Sequence, residues 1–143
     1  MPATRKAPPA KAAPINAPRP ATPWPEQGGI LSTLMPGGEG KPDYYLILAN
    51  TTPPNRLDWK KANAWATKLK IGAHKDFTLP TLAEQALLYA TLKASFGPAF
   101  YWSSEPYAGT PDYAWGRYFN NVYAHYYRKS NEFRVAAVRR VFI

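Results

Sequence analysis

Residues 100–143 read FYWSSEPYAGTPDYAWGRYFNNVYAHYYRKSNEFRVAAVRRVFI. Between Tyr113 and Tyr127 seven of fifteen residues are aromatic, more than the single buried face of a strand can absorb. Some of these rings are therefore expected at the surface. Arg128, Lys129, Ser130 and Asn131 follow directly, and Glu132 to Ile143 reads as a β-branched, basic final strand. Tyrosine supplies a large, rigid contact area with a polar tip at low entropic cost, and the neighbouring charges and amides add adaptable hydrogen bonding. The candidate contact residues are Tyr118, Asn120, Asn121, Tyr123, His125, Tyr126, Tyr127, Arg128, Lys129 and Asn131. By strand parity Trp115 and Phe119 share one face, and Ala114, Gly116 and Tyr118 the other. If Trp115 and Phe119 are taken as core, the second set lies opposite it. Arg139 and Arg140 fall on opposite faces of the last strand, so one is expected to be structural and paired.

The rest of the chain supplies a scaffold for this stretch. Residues 1–22 form a Pro/Ala/Lys segment with almost no bulky apolar residues, expected to be a disordered arm because it cannot bury enough surface to offset ordering. Residues 23–143 then make one domain, large enough to bury roughly two thirds of its unfolded surface. Within it, residues 30–34 and 43–50 predict two strands forming a hairpin. Trp59, Ala62, Trp65, Ala66 and Leu69 recur at helical spacing after Asp58, a natural N-cap. A second helix starts at Thr81, whose spacing from Glu84 fits a capping box, and runs to about Ala94. Strand, strand, helix, helix and then several strands is a segregated α+β order.

Charge and composition narrow the partners. The net charge of +9 is carried by the arm, at +4, and by residues 113–143, at +5, while residues 23–112 balance. Basic charge so placed favours an anionic partner, either an acidic glycan or nucleic acid. No cysteine is present, which excludes disulfides and thiolate chemistry. No signal peptide or membrane-spanning run is read, so membrane insertion is not expected. Ser103, Ser104, Asp112 and His125 are triad residue types without a nucleophile elbow, and neither histidine has carboxylates at metal-ligand spacing. The reading is of no catalytic residues, no metal site and no cofactor.

DWKKANAWATKL, FTLPTLAEQALLY, FYWSSE, YAWGRYFNN and EFRVAAVRRV, in that order, resemble the Lcl C-terminal domain family, also called DUF1566. The matching positions are Trp59/Ala62, Leu79/Pro80/Thr81/Glu84, Tyr101/Trp102/Ser103/Ser104, Ala114/Trp115 and Val138/Arg139. The resemblance implies a C-type-lectin-like fold, with two helices flanking a small, twisted, mostly antiparallel sheet whose C-terminal strands present a ligand surface. It implies a non-enzymatic binding module of phage or prophage type, contacting a host-surface protein or an anionic glycan, because related proteins are adhesins for sulfated glycans. It further implies attachment to a virion or tail through the arm, a virion or cytoplasmic location, and a trimer where the domain oligomerises. Some relatives are variable proteins of diversity-generating retroelements, and each residue from Val122 to Tyr127 could arise from an AAC codon by changes at its adenines. The cysteine pair of formylglycine-generating enzymes is missing, as is the acidic cluster of calcium-dependent lectins. The alternative reading is an intracellular, nucleic-acid-associated or host-modulating protein that uses the basic arm.

Overall fold

The computed structural model describes residues 16–143, so most of the expected arm lies outside the described residues. The folded part begins before residue 23: Ala17 packs against Trp24, Leu31 and Ile47, and Thr22–Trp24 form strand β1. Trp24 is the reason, since burying an indole between β1 and its neighbours draws the adjoining backbone onto the sheet. Strands β2 (Gly29–Met35) and β3 (Tyr44–Ala49) form the expected hairpin. Helices α1 (Trp59–Lys68) and α2 (Leu82–Leu92) follow, and then strands β4 (Phe100–Pro106), β5 (Tyr113–Tyr118), β6 (Ala124–Arg128) and β7 (Val138–Phe142).

Both helices start where their capping residues dictate. Asp58 Oδ1 accepts from the Lys61 amide at 2.8 Å, satisfying one of the orphan donors of the first turn. Thr81 Oγ1 accepts from the Glu84 amide, and Glu84 Oε1 accepts from the Thr81 amide, which completes the capping box. The strands sort into two antiparallel sheets rather than one, with orders β1-β2-β3-β7 and β4-β5-β6. The closing stretch explains the division. Only Val138–Phe142 of the expected long final strand is regular. Before it, Arg134 donates its amide to the Phe100 carbonyl and accepts from the Trp102 amide, on β4. Ala137 then accepts from the Ala49 amide, on β3. One buried segment thus stitches the two sheets together, which a continuous strand paired on one side could not do.

Between the sheets and helices lie two packed cores. One is centred on Phe77, Leu79, Phe100 and Trp102. The other joins Leu46, Leu48 and Val138 of the first sheet to Leu88 of α2 and to Tyr101 and Phe119. Each such side chain contributes about 1.5–3 kcal/mol on burial.

Both late arginines are paired, not one. Arg139 bonds Asp76 at 2.7 Å and the Gln27 side chain at 2.8 Å. Arg140 bonds both oxygens of the buried Glu84 carboxylate at 2.7 Å. Glu84 also accepts from the Tyr44 hydroxyl at 2.6 Å. Burial pushes the Glu84 carboxyl up, but Arg140, Tyr44 and the Thr81 amide outweigh it and hold the acid below its usual range. Burial, reinforced by Glu84, pushes the Tyr44 phenol up to about 12. Among the described residues no helix is long and apolar enough to cross a membrane.

Candidate functional site

Alternation along β5 divides the aromatic segment into two ring clusters. Ala114 and Gly116 are buried on the inner face, where small residues let Phe100 approach: a Cβ on Gly116 would lie 2.4 Å from the Phe100 ring. Around Phe100 stand Tyr118, Tyr127 and Phe133 at centroid separations of 5.1, 4.9 and 4.6 Å. The Tyr118 and Tyr127 hydroxyls hydrogen-bond to each other. That bond, with some burial, pushes the Tyr127 phenol up to about 12. These rings belong to the core.

The opposite parity produces a different surface. Trp115 points away from the core, contrary to its expected pairing with Phe119. Phe119 lies just past the strand end and is buried against Tyr89, Phe96 and Tyr101, whereas Trp115 meets Tyr107 and Tyr126 at 5.6 and 5.1 Å. The physical reason is that α2 covers only one end of this face. Arg117, next inward, donates to the Leu82 carbonyl at the start of α2 and to the Val122 carbonyl in the β5–β6 turn. Trp115, two residues earlier on the same face, has Tyr107 and Tyr126 as its ring neighbours instead.

Tyr126 stacks on Tyr107 at 4.1 Å with ring planes 10° apart, and Tyr113 meets both edge-on. The Arg128 guanidinium lies 5.2 Å from the Tyr113 ring centre, within cation–π range. None of Tyr107, Tyr113, Trp115 or Tyr126 belongs to a buried cluster of the described residues, and all four are half-exposed. A hydrogen bond with Tyr126 and the charge of that phenol raise the Tyr107 phenol above its usual range.

The ten residues singled out from sequence are therefore not brought onto one face. Tyr126 and Arg128 belong to the outer cluster, while Tyr118 and Tyr127 belong to the inner one. Asn120, Asn121 and Tyr123 occupy the connecting turn, where Val122 has φ 67° and the Asn121 side chain accepts from the Tyr123 amide at 3.0 Å. Tyr123 is 69% exposed. His125 is exposed at the sheet edge and stacks on Tyr127 at 4.9 Å. Lys129 is drawn toward α1, its Nζ 4.6 Å from the Trp59 ring centre. Asn131 is exposed in the following turn. Sequence reading missed Tyr107, Tyr113 and Trp115. The available signal was the pair Ala114 and Gly116, whose small size marks the parity that faces a bulky neighbour.

The signature residues have scaffold roles. Trp59 Nε1 donates to the Ser103 carbonyl at 2.8 Å, and Trp102 Nε1 to the Leu57 carbonyl at 2.9 Å. Ser103 Oγ donates to the Trp115 carbonyl at 2.7 Å, so its proton is held by the backbone. Among the described residues no group of three or more His, Cys, Asp or Glu side chains converges as metal ligands do.

No curated protein sequence matches the chain. The profile of the Lcl C-terminal domain matches residues 35–139, a span that begins at the end of β2 and takes in both helices, the second sheet and the start of β7. Tryptophan anchors, capping box and closing strand occupy the scaffold positions just described, and the chain belongs to the Lcl C-terminal domain family.

Proposed function

We propose that this protein is a non-enzymatic binding module whose contact surface is the outer face of β5–β6 together with the turn that joins them. The observation that carries this reading is the cluster of Tyr107, Tyr113, Trp115 and Tyr126, half-exposed and outside every described core, with Arg128 against it. Rings and arginine in this arrangement are the residue types that dominate interface energetics. Rigid rings held by one another lose little entropy when a partner docks. The Lcl C-terminal domain is not a known enzyme family, and Ser103 is engaged structurally. The partner class proposed is a host-surface protein or an anionic glycan, with the segment before Asn16 as an attachment arm and a phage or prophage product as the source.

Binding of the intact chain, and of a version beginning at Asn16, to arrayed glycans, bacterial surface extracts and DNA at low and high salt tests this reading. Salt-resistant binding to a surface component, kept without the arm and lost in Tyr126→Ala, is the expected result. Binding to DNA alone that collapses as salt rises and disappears with the arm would overturn it, because that is the signature of phosphate neutralisation.

A further inference from the structure

A second site lies away from the aromatic surface and shares no residue with it. Residues 50–56 form an exposed loop stiffened by Pro53 and Pro54, and it is clamped where Leu57 and Phe133 exchange backbone hydrogen bonds of 2.9 and 3.0 Å. One step further along this antiparallel pairing, Arg56 falls opposite Arg134. Like charges facing each other across paired strands are destabilising, and neither arginine has a carboxylate partner among the described residues. Both instead line a single cleft of about 380 Å³ with Thr52, Asn55 and Tyr101, and no acid lines it.

Two further details show that this cleft is built. Gly97 leaves room for Arg134: a Cβ there would sit 2.4 Å from Arg134 Nη1. Tyr101 is 6% exposed and its hydroxyl accepts from the Gly97 amide at 2.9 Å, yet it donates to no described acceptor. A nearly buried hydroxyl is thus left with its proton free at the wall of a cationic cleft. Thr52 and Tyr101 also line a second cleft of about 360 Å³, whose apolar walls include Ile30, Leu48, Phe96 and Ala136.

We infer that these two clefts, which meet at Thr52 and Tyr101, together bind a carboxylate carried on a compact apolar group. The carboxylate is taken by the Arg56 and Arg134 guanidinium groups and the Tyr101 hydroxyl, and the apolar group is seated between Leu48 and Phe96. Planar guanidinium forks match a carboxylate, and each cleft by itself has the volume of a small-molecule site. A free phosphate would leave the apolar cleft unused.

Amide-resolved NMR titration of the full chain with N-acetylphenylalanine, its carboxamide and inorganic phosphate tests the assignment. The acid is expected to shift the Gly97, Tyr101 and Arg134 amides. The carboxamide should bind at least about tenfold more weakly, since it lacks the charge that strengthens a guanidinium hydrogen bond. Arg134→Gln and Arg56→Gln should each weaken the acid about tenfold while the melting temperature holds or rises, since either change relieves the like-charge repulsion. Should one variant fail to fold, the other and the acid-to-carboxamide ratio carry the test. Equal binding of acid and carboxamide, displacement of the acid by phosphate at equal concentration, shifts confined to β5–β6, or no shift at millimolar acid would each overturn the proposal.

Discussion

The inner and outer faces of β5–β6 carry similar rings with opposite fates. Inside, Tyr118 and Tyr127 are locked around Phe100 and Phe133, and their hydroxyls are spent on each other. Outside, Tyr107, Tyr113, Trp115 and Tyr126 touch mainly one another and Arg128. One step of strand alternation separates them, so ring density alone does not say which tyrosines bind. What separates the faces is what packs against them: the inner one meets a bulky β4 residue, whereas α2 stops short of the outer one. Inner-face substitutions should therefore act on stability, and outer-face substitutions on binding.

The largest effects are expected in the scaffold. Phe100→Ala removes the ring on which the inner cluster closes and should cost about 3–5 kcal/mol in denaturant unfolding. Glu84→Ala leaves the half-buried Arg140 without its partner and should cost somewhat less, about 3 kcal/mol. Because the folded-state pKa of Glu84 is depressed, its contribution is present above the ordinary carboxylate range and is lost as pH falls below about 4.5 through the folded value. The variant should accordingly show a flatter acid limb. An unchanged acid limb would mean that the ion pair with Arg140 contributes nothing.

Next in size comes the outer face. Tyr126→Ala and Trp115→Ala should each weaken partner binding by about 2 kcal/mol or more, roughly thirtyfold. Their effect on stability should stay within about 1.5 kcal/mol, the range of an aromatic pair. Loss of fold in either variant would erase the distinction between the faces.

The smallest effect sharpens it. Tyr127→Phe keeps the ring and removes the hydroxyl, and should cost about 1 kcal/mol near neutrality. The Tyr127 phenol is raised from 10.0 to about 12 in the folded protein, so its contribution is intact below pH 10 and declines as pH rises toward 12. Thermal melts across that window should fall more steeply for the parent than for Tyr127→Phe. Tyr44, raised to about 12 as well, keeps the variant from becoming flat.

Much of the scaffold was legible because local chemistry specifies it. Asp58 and the pair Thr81 and Glu84 cap their helices through bonds that reach only three residues, and the periodicity of Trp59, Ala62, Trp65, Ala66 and Leu69 reports a buried face directly. The family was legible for the same reason, since its signature consists of these scaffold residues. The candidate surface was legible only as a segment. The outward turn of Trp115 depends on where α2 ends relative to β5, and Tyr107 joins Tyr126 through a hairpin register that no short-range pattern encodes.

By itself, then, the sequence determined the α+β order, the caps, the family and the concentration of rings and basic charge in the last third, all of which rest on interactions between near neighbours. Tertiary structure alone decided which rings are core and which are surface. It also decided that Arg139 and Arg140 each find a carboxylate while Arg56 and Arg134 face each other without one. Those outcomes turn on contacts between residues of different strands and helices, where the pairing of one strand with another, and not the character of either, sets what each side chain meets.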